Sequence, residues 1–334
     1  MPGTGPRSAS PRVVVAAVVS LTTLLFAALG AAQAGELRVG VLKFGTVNWT
    51  LDVIKAHELD AEEGVTLEIV PFAGKNATSV ALQARDVDMI VTDWFWVSRE
   101  RAEGTPFTFV PYSTAQGAVM VPPDAGIETV GDLAGKRIGV AGGPIDKSWL
   151  LLQALGAKRH GVELASDAEP VFGAPPLLNE QILAGRIDAV INFWHYAARL
   201  EAAGLTRLAG VQDIMAELGI AEVIPMIGYT FDEGWAAKNT ADLAAFLRAE
   251  QAAKALLAES DAEWERLRPL MKAKDDASFI ALRDAYRAGI PKSWGEAEQN
   301  SAARLYALLA EIGGAKLVGK AMTLQDGTFW SGGE

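Results

Sequence analysis

The chain has 334 residues and no cysteine, and 30 basic against 41 acidic residues give it a formal net charge of −11. The lack of cysteine excludes disulfides, thiolate metal sites, a cysteine nucleophile and a lipid anchor on an N-terminal cysteine. The negative charge argues against nucleic acid as a partner, because phosphate backbones are bound by basic surfaces. A small anion can still bind to local backbone N–H groups.

The first 34 residues have the pattern of a cleavable export signal. Arg7 and Arg12 precede an almost wholly apolar run, Val13 to Leu29, and residues 32–34 (AQA) form a small-x-small cleavage site. The run is short for a membrane span, so we favour cleavage over a membrane anchor. Export without a lipid anchor predicts a Gram-negative periplasm.

Strands alternate with helices through the first two thirds of the chain. The predicted strands or extended segments are 36–44, 65–72, 89–91, 107–112, 117–121, 136–140, 169–172 and 224–231. Helices are expected between them, for example at about 50–62. From Asn239 the pattern is helical, with further helices at about 262–273, 277–288 and 296–312. This alternation predicts an α/β fold with parallel or mostly parallel sheets.

One stretch of the chain has an echo 100 residues later. Residues 88–104 and 188–204 align without a gap, and both read as a strand, a turn and a helix. The identities are Asp88 with Asp188, Trp94 with Trp194, Arg99 with Arg199, Ala102 with Ala202 and Gly104 with Gly204. The shared pattern favours duplication over chance and predicts two similar lobes that form a cleft.

The chain is expected to cross between the lobes twice. We predict a first lobe of residues 35–121 and 225–334 and a second lobe of residues 122–224. Two crossings make a hinge, and a hinge permits closure around a ligand.

Lys147 is the sharpest site candidate. It lies at a glycine-rich helix start after Gly142-Gly143, where the helix dipole favours an acidic residue. A lysine there indicates a negative ligand group or a carbonyl, unless the side chain is solvated or paired with Asp146.

Tryptophans also fall at the predicted strand ends. Trp94, Trp149 and Trp194 are the favoured ligand residues, and Trp49 is a further candidate. Several such rings would suit a flat aromatic ligand, although aromatic residues more often belong to the core.

Further ligand-binding candidates are the polar or small residues at the same strand ends and helix starts. They are Asn48, Asn76, Thr78, Asp93, Gly143, Ser148, Pro175, Asn192 and His195. His195 reads equally well as a structural residue. We predict no catalytic residue and no metal site, since the three histidines have no metal-ligand spacing and no phosphate-binding glycine motif occurs.

Two motifs carry a resemblance to a known family. VGVLKFG (39–45) and GDLAGKRIGVAGG (131–143), with the export signal and the C-terminal helices, resemble periplasmic substrate-binding proteins of ABC importers. The resemblance is to the nitrate, sulfonate and taurine group, which shares its fold with NMT1/THI5-like binding proteins for thiamine-pyrimidine precursors. It implies a two-lobed type II binding-protein fold, a hinge, and delivery of a small anion to an inner-membrane permease. We expect a monomer, because such a fold works by closure rather than by assembly.

A narrower resemblance concerns the ligand. GGPIDKSWLLL (142–152), WFW (94–96) and NFWHYAAR (192–199) are similar to periplasmic proteins that bind pyrroloquinoline quinone. This implies that Lys147 contacts the quinone, which would be a bound ligand rather than a required cofactor. The alternatives are an aliphatic sulfonate such as taurine, a thiamine-pyrimidine precursor, a pyrimidine-synthase-like enzyme of the same fold, and a sensor that signals through a membrane partner.

Overall fold

A computed structural model describes residues 1–5 and 35–332, so the predicted export signal lies almost wholly outside the described residues. The strands in the described part are β1 (Gly35–Leu42), β2 (Val65–Phe72), β3 (Met89–Asp93), β4 (Phe107–Ser113), β5 (Ala118–Val121), β6 (Arg137–Ala141), β7 (Glu169–Gly173), β8 (Ala189–Asn192), β9 (Thr206–Gly210) and β10 (Ile227–Asp232).

Helices join these strands and make up most of the chain after β10. They are α1 (Val47–Ala56), α2 (Leu59–Glu62), α3 (Lys75–Ala84), α4 (Trp94–Ala102), α5 (Lys147–Leu155), α6 (Leu164–Asp167), α7 (Pro175–Leu183), α8 (Trp194–Ala202), α9 (Val211–Glu217), α10 (Glu233–Lys238), α11 (Thr240–Glu259), α12 (Asp261–Met271), α13 (Asp276–Ala288) and α14 (Glu296–Val318). The helix predicted at 50–62 is two helices, because Glu58 between them has a left-handed backbone with φ 53°.

The strands form two sheets of the same plan. The orders are β2-β1-β3-β10-β4 and β7-β6-β8-β5-β9. β1 pairs in parallel with β3, and β6 pairs in parallel with β7 and β8. β10 is antiparallel to β3 and β4, and β5 is antiparallel to β8 and β9. The predicted α/β class with two lobes is confirmed, and each sheet combines parallel with antiparallel pairs.

Each sheet contains one antiparallel strand that comes, in the sequence, directly after a strand of the other sheet. β5 comes directly after β4 in the sequence but pairs with β8 and β9, and β10 pairs with β3 and β4. The sequence placed 118–121 in the first lobe, whereas this strand belongs to the second sheet. The first link between the sheets therefore lies at about residues 114–117. The second runs from 211 to 226 and contains α9, which the sequence pattern did not reveal.

The internal echo extends to bond geometry. β3 and α4 begin at residues 89 and 94, and β8 and α8 begin at 189 and 194. In the first sheet, the Arg38 backbone N and Nε donate to Asp88 Oδ2 at 2.8 and 3.0 Å, and Nη2 donates to Oδ1 at 2.8 Å. In the second, Arg137 makes the same three bonds to Asp188 at 2.8, 3.0 and 2.7 Å. This shared clamp supports duplication.

One apolar core cluster contains side chains from both halves of the duplication. Trp94 and Phe95 of α4 belong to the same buried cluster as Trp149 and Leu150 of α5. A second cluster joins Ala198 of α8 to Trp49 of α1. Helices of the two lobes also contact each other directly, α13 with α8 and α14 with α5.

Candidate functional site

The carboxyl ends of β3 and β6 meet where α4 and α5 begin. Lys147 Nζ, in the first turn of α5, lies 3.4 Å from Asp93 Oδ1. Asp93 also caps α4, because its Oδ1 accepts from the Trp96 backbone N–H at 3.2 Å. Lys75 Nζ lies 3.9 Å from the other carboxylate oxygen. Lys147 is therefore neither solvated nor paired with Asp146, but forms an ion pair between elements of the two sheets.

Electrostatics keep this carboxylate ionised. Burial alone raises the pKa of the Asp93 carboxyl, but Lys147 and Lys75, with the hydrogen bond from Trp96, outweigh it and lower the pKa below its ordinary 3.8. Asp93 thus offsets part of the positive charge of Lys147, which the sequence analysis expected to face an anionic ligand.

The helix start that carries Lys147 is shaped by its loop. Gly142 and Gly143 have φ values of 87° and 94°, which favour glycine. A Cβ on Gly142 would lie 2.5 Å from Asp146 Oδ2. Asp146 needs this space because it caps α5, accepting from the Ser148 N–H at 2.9 Å. The predicted site residues Gly143 and Ser148 are thus part of a capped helix start.

α1 and α8 form the second junction between the lobes. The rings of Trp49 and Trp194 meet edge to face, with centroids 5.9 Å apart and an interplanar angle of 89°. Trp49 also packs against Trp264 and Tyr286. Trp49 is 4 % exposed, so this junction is largely closed.

Two tryptophans predicted to stack on a ligand are buried in the core. Trp94 is 0 % and Trp149 is 2 % exposed. Trp94 stacks on Phe95, and its Nε1 donates to the Pro225 carbonyl at 3.0 Å. Neither ring has a face open to a ligand in this structure, and Trp94 also packs against Tyr306 and Phe329. Trp194, the third candidate, is half-buried.

Other candidate amides hold backbone turns. Asn48 Nδ2 donates to the Leu42 and Gly45 carbonyls, both at 2.8 Å, and so fixes the turn after β1. Asn192 Nδ2 donates to the Pro175 carbonyl at 3.0 Å and so joins the starts of α7 and α8. These bonds give both amides a structural task.

Two candidates belong to α3 in the first lobe. Thr78 is buried, and its hydroxyl donates to the Lys75 carbonyl at 2.8 Å. Asn76 is exposed in the first turn of the same helix. The N-cap residue of this helix is Gly74, so the helix has no side-chain cap. Asn76 therefore stays available to a ligand, whereas Thr78 is engaged within its helix.

His195, in the first turn of α8, is a half-buried imidazole. Burial, together with the nearby charge of Arg199, lowers the pKa of the imidazole to about 3. Its Nδ1 is buried without a hydrogen-bond partner among the described residues. Of the predicted site residues, His195 thus keeps a polar atom that the protein itself does not use.

Exposed apolar side chains near strand ends were missed by the sequence reasoning. Phe44 follows β1 and is 79 % exposed, and Phe172 and Phe193, near the ends of β7 and β8, are 42 % and 37 % exposed. Ile145 precedes α5 and is also exposed. For Phe44 and Phe193, the available signal was an apolar residue soon after a strand, where a polar loop is expected. These side chains offer apolar surface near the carboxyl ends of the strands, where open α/β sheets bind ligands.

A separate cavity of about 550 Å³ lies beside α11, β4 and the loop before α14. It is lined in part by Glu250 and Lys254, whose charged atoms lie 2.6 Å apart. Lys254 Nζ also donates to the Tyr112 carbonyl at 2.6 Å. The charges of this pair are thus satisfied within the protein.

Residues 1–5 and 35–332 contain no group of three or more histidine, aspartate and glutamate side chains that could hold a metal ion. In the same residues, every helix is too short or too polar to cross a membrane.

Comparison with known proteins places the chain in a family. Solved structures with the same fold include the periplasmic aliphatic sulphonate binding protein SsuA from Escherichia coli, which is 19 % identical, has a TM-score of 0.71 and is matched over 89 % of this chain and 92 % of that one. The alkanesulfonate-binding protein SsuA from Xanthomonas axonopodis pv. citri, bound to MOPS, is 20 % identical, with a TM-score of 0.66 and coverage of 90 % and 99 %.

The periplasmic nitrate-binding protein NrtA from Synechocystis PCC 6803 is more distant, with 12 % identity, a TM-score of 0.54 and coverage of 75 % and 70 %. No curated protein sequence matches the chain. The family model described as NMT1/THI5 like matches residues 57–263, more than half of the chain. The chain belongs to the NMT1/THI5-like family.

Proposed function

We propose that the protein is the solute-binding component of an ABC importer and binds an organic anion between its two lobes. The observation that carries this proposal is the meeting of opposed helix starts from two similar sheets, through Lys147 with Asp93 and Trp49 with Trp194. Two lobes joined by two chain segments can close on a ligand at this edge. The family match and the solved binding proteins of the same fold support the proposal.

The geometry favours a ligand with an anionic group and an apolar part. Free N–H groups at helix starts attract anions, and Phe44, Phe172 and Phe193 offer apolar surface near the ends of their strands. Pyrroloquinoline quinone meets this description, as does an alkanesulfonate or arylsulfonate. Burial of Trp94 and Trp149 removes the stacking that singled out the quinone, so we place sulfonates first.

The proposed setting follows from the same argument. The protein acts in the periplasm as a monomer, after export by the predicted signal, and passes its ligand to an inner-membrane permease. The net charge of −11 fits a partner other than nucleic acid.

Calorimetric titration of the chain starting at Gly35 tests the proposal. The ligand panel is taurine, hexane-1-sulfonate, benzenesulfonate, pyrroloquinoline quinone and nitrate, with hexan-1-ol and benzyl alcohol as neutral controls. We expect at least one organic anion to bind with a Kd of about 10 μM or tighter and the neutral controls to bind at least about 100-fold more weakly. Equal binding of anions and neutral controls, or no binding by any anion, would overturn the proposal. Turnover of a ligand would point instead to the enzyme alternative.

A further inference from the structure

Two C-terminal helices of the first lobe lie against the second lobe. α13 and α14 come after the last strand of the first sheet, but α13 contacts α8 and α14 contacts α5, both of the second lobe. Each of the two helices, or the residue that ends it, also bonds to one of the two links between the sheets. The pair therefore touches every part of the molecule that moves when the lobes separate.

α13 joins α8 to the first link. The Tyr286 hydroxyl lies 2.5 Å from Thr50 Oγ1 of the first lobe, and its ring lies near that of Trp194 of the second lobe, with centroids 6.5 Å apart. At the end of the helix, the Gly289 carbonyl accepts from the Thr114 backbone N–H at 2.9 Å and from the Thr114 hydroxyl at 3.1 Å. The first link therefore starts on the end of α13.

The close approach of this link needs a glycine for space rather than for conformation. Gly289 has φ −87° and ψ 1°, values that other residues adopt in turns. A Cβ on Gly289 would lie 2.5 Å from Ala115 Cβ and 3.0 Å from the Ala115 backbone N. Any side chain at this position would therefore push the link away from α13.

α14 is fastened to the second link and to the first lobe. Arg304 Nη2 donates to Glu222 Oε2 of the second link at 3.1 Å. The Tyr306 ring stacks on Phe95 of α4, with centroids 4.8 Å apart. The first part of α14 thus holds the second link against the first lobe, as the end of α13 holds the first link.

α14 meets the second lobe at a break in the helix. Gly314 has φ 54° and ψ −157°, a conformation that glycine adopts and other residues rarely do. Next to it, a Cβ on Gly313 would lie 3.0 Å from Leu150 Cδ1 of α5. Beyond the break, Leu317 and Val318 belong to the same buried cluster as Leu150. The contact between α14 and α5 is thus close and apolar.

These contacts oppose separation of the lobes, because pulling α5 away from α14 exposes buried apolar side chains to water. Domains joined by an apolar interface move less freely than domains joined by links alone. We propose that α13 and α14 act as a clasp that holds the lobes in contact when no ligand is bound and sets how far they separate. This inference rests on the proposed function and adds the state of the empty protein. Ligand entry then requires the clasp to loosen.

Distances between spin labels on the two lobes test the clasp. The chain has no cysteine, so Val80→Cys in α3 and Leu183→Cys in α7 place one label on each lobe, both at exposed positions. In this ligand-free parent, double electron–electron resonance should give one narrow distance distribution. Gly289→Ala in the same background should add a population at longer distance. Gly295→Ala, where a Cβ would lie 3.7 Å from its nearest neighbour, is the matched control and should leave the distribution unchanged.

A rescue variant and a second contact complete the test. Adding Ala115→Gly to Gly289→Ala returns space to the link and should restore the narrow distribution. Circular dichroism checks folding. If Gly289→Ala does not fold, Glu222→Ala takes its place, since it removes the bonds of the second link to Ser301 and Arg304 and should also add longer distances.

Two results would overturn the clasp. One is a broad or two-population distribution in the ligand-free parent, and the other is a folded clasp variant with the distribution of the parent. Titration with benzenesulfonate separates this inference from the proposed function. If the parent binds the anion but its lobes separate freely without it, the inference fails and the proposed function stands. If the parent binds no organic anion, the proposed function fails, and the ligand-free distances still decide whether the clasp exists.

Discussion

Lys147 Nζ lies 3.4 Å from Asp93 Oδ1, and the two residues belong to helix starts on different sheets. Asp93 is the N-cap of α4 and Lys147 is the first residue of α5. The contact therefore ties the position of one lobe to the other at the edge where a ligand is expected. It also explains why a lysine is tolerated at a helix N-terminus, since the nearby carboxylate offsets its unfavourable interaction with the helix dipole.

A double-mutant cycle measures this tie. Asp93→Asn and Lys147→Met each remove the attraction, and both side chains are mostly buried, at 14 % and 24 % exposure. We expect each variant to lower the free energy of unfolding and the pair to couple by about 1 to 2 kcal/mol in urea titrations. The surface pair Lys320–Glu103, with 77 % and 47 % exposure, is the control and should couple by less than about 0.5 kcal/mol. Additive effects at Asp93 and Lys147 would show that the contact does not hold the lobes.

The same carboxylate predicts a pH dependence. Because the pKa of Asp93 is lower in the folded protein than its ordinary 3.8, its ionised form stabilises the fold above that value. This stabilisation is lost as the pH falls through the lowered pKa. The stability difference between wild type and Asp93→Asn should therefore be full at pH 7 and shrink below pH 3.8. Urea titrations from pH 7 to acid measure it, and the pH-dependent part should be smaller in a Lys147→Met background. A gap that is the same at all pH values would contradict the ionised pair.

The paired arginine clamps should differ in strength because their burial differs. Arg38 and Arg137 make equivalent bonds, but Asp88 is 12 % exposed and Asp188 is 33 % exposed. We expect Arg38→Met to lower the free energy of unfolding by about 1 to 2 kcal/mol and Arg137→Met to lower it by less. Denaturant titrations of the two variants give the comparison. Equal costs would mean that burial of the carboxylate does not set the strength of the clamp.

Trp94 should matter for stability rather than for stacking on a ligand. Trp94→Phe removes buried ring volume and the bond to the Pro225 carbonyl, so we expect a loss of about 2 kcal/mol. Its neighbour Trp96, half-buried and stacked on Phe107, is the control and should cost less when changed to phenylalanine. Unfolding titrations and benzenesulfonate binding are measured on the same samples. Unchanged stability with lost binding would restore the stacking role predicted from the sequence.

Local patterns in the sequence were enough to predict much of the fold. In the echo, apolar runs followed by helix starts predicted that β3 leads into α4 and that β8 leads into α8. A shift of 100 residues relates the two strand–helix pairs. Local patterns do not show which sheet a strand joins. β5 follows β4 in the chain but pairs with β8 and β9. Its partners are far away in sequence, and a run of four apolar residues does not show which partner it finds.

The site was harder to predict than the fold for a similar reason. The sequence shows that Trp94 follows a strand, but not that Tyr306 and Phe329, far away in the chain, cover its ring. The same limit hid the partner of Lys147, which is 54 positions away at Asp93. Phe44, Phe172 and Phe193 were missed because isolated phenylalanines are usually core residues.

The most direct test of the account is a crystal structure of the chain from Gly35 with 4-bromobenzenesulfonate, a planar anion whose bromine scatters anomalously. We expect one bromine peak between the two sheets, near Phe172 or Phe193. A peak only in the cavity beside Glu250 and Lys254, or no bound ligand at concentrations that saturate in solution, would contradict a binding cleft between the lobes.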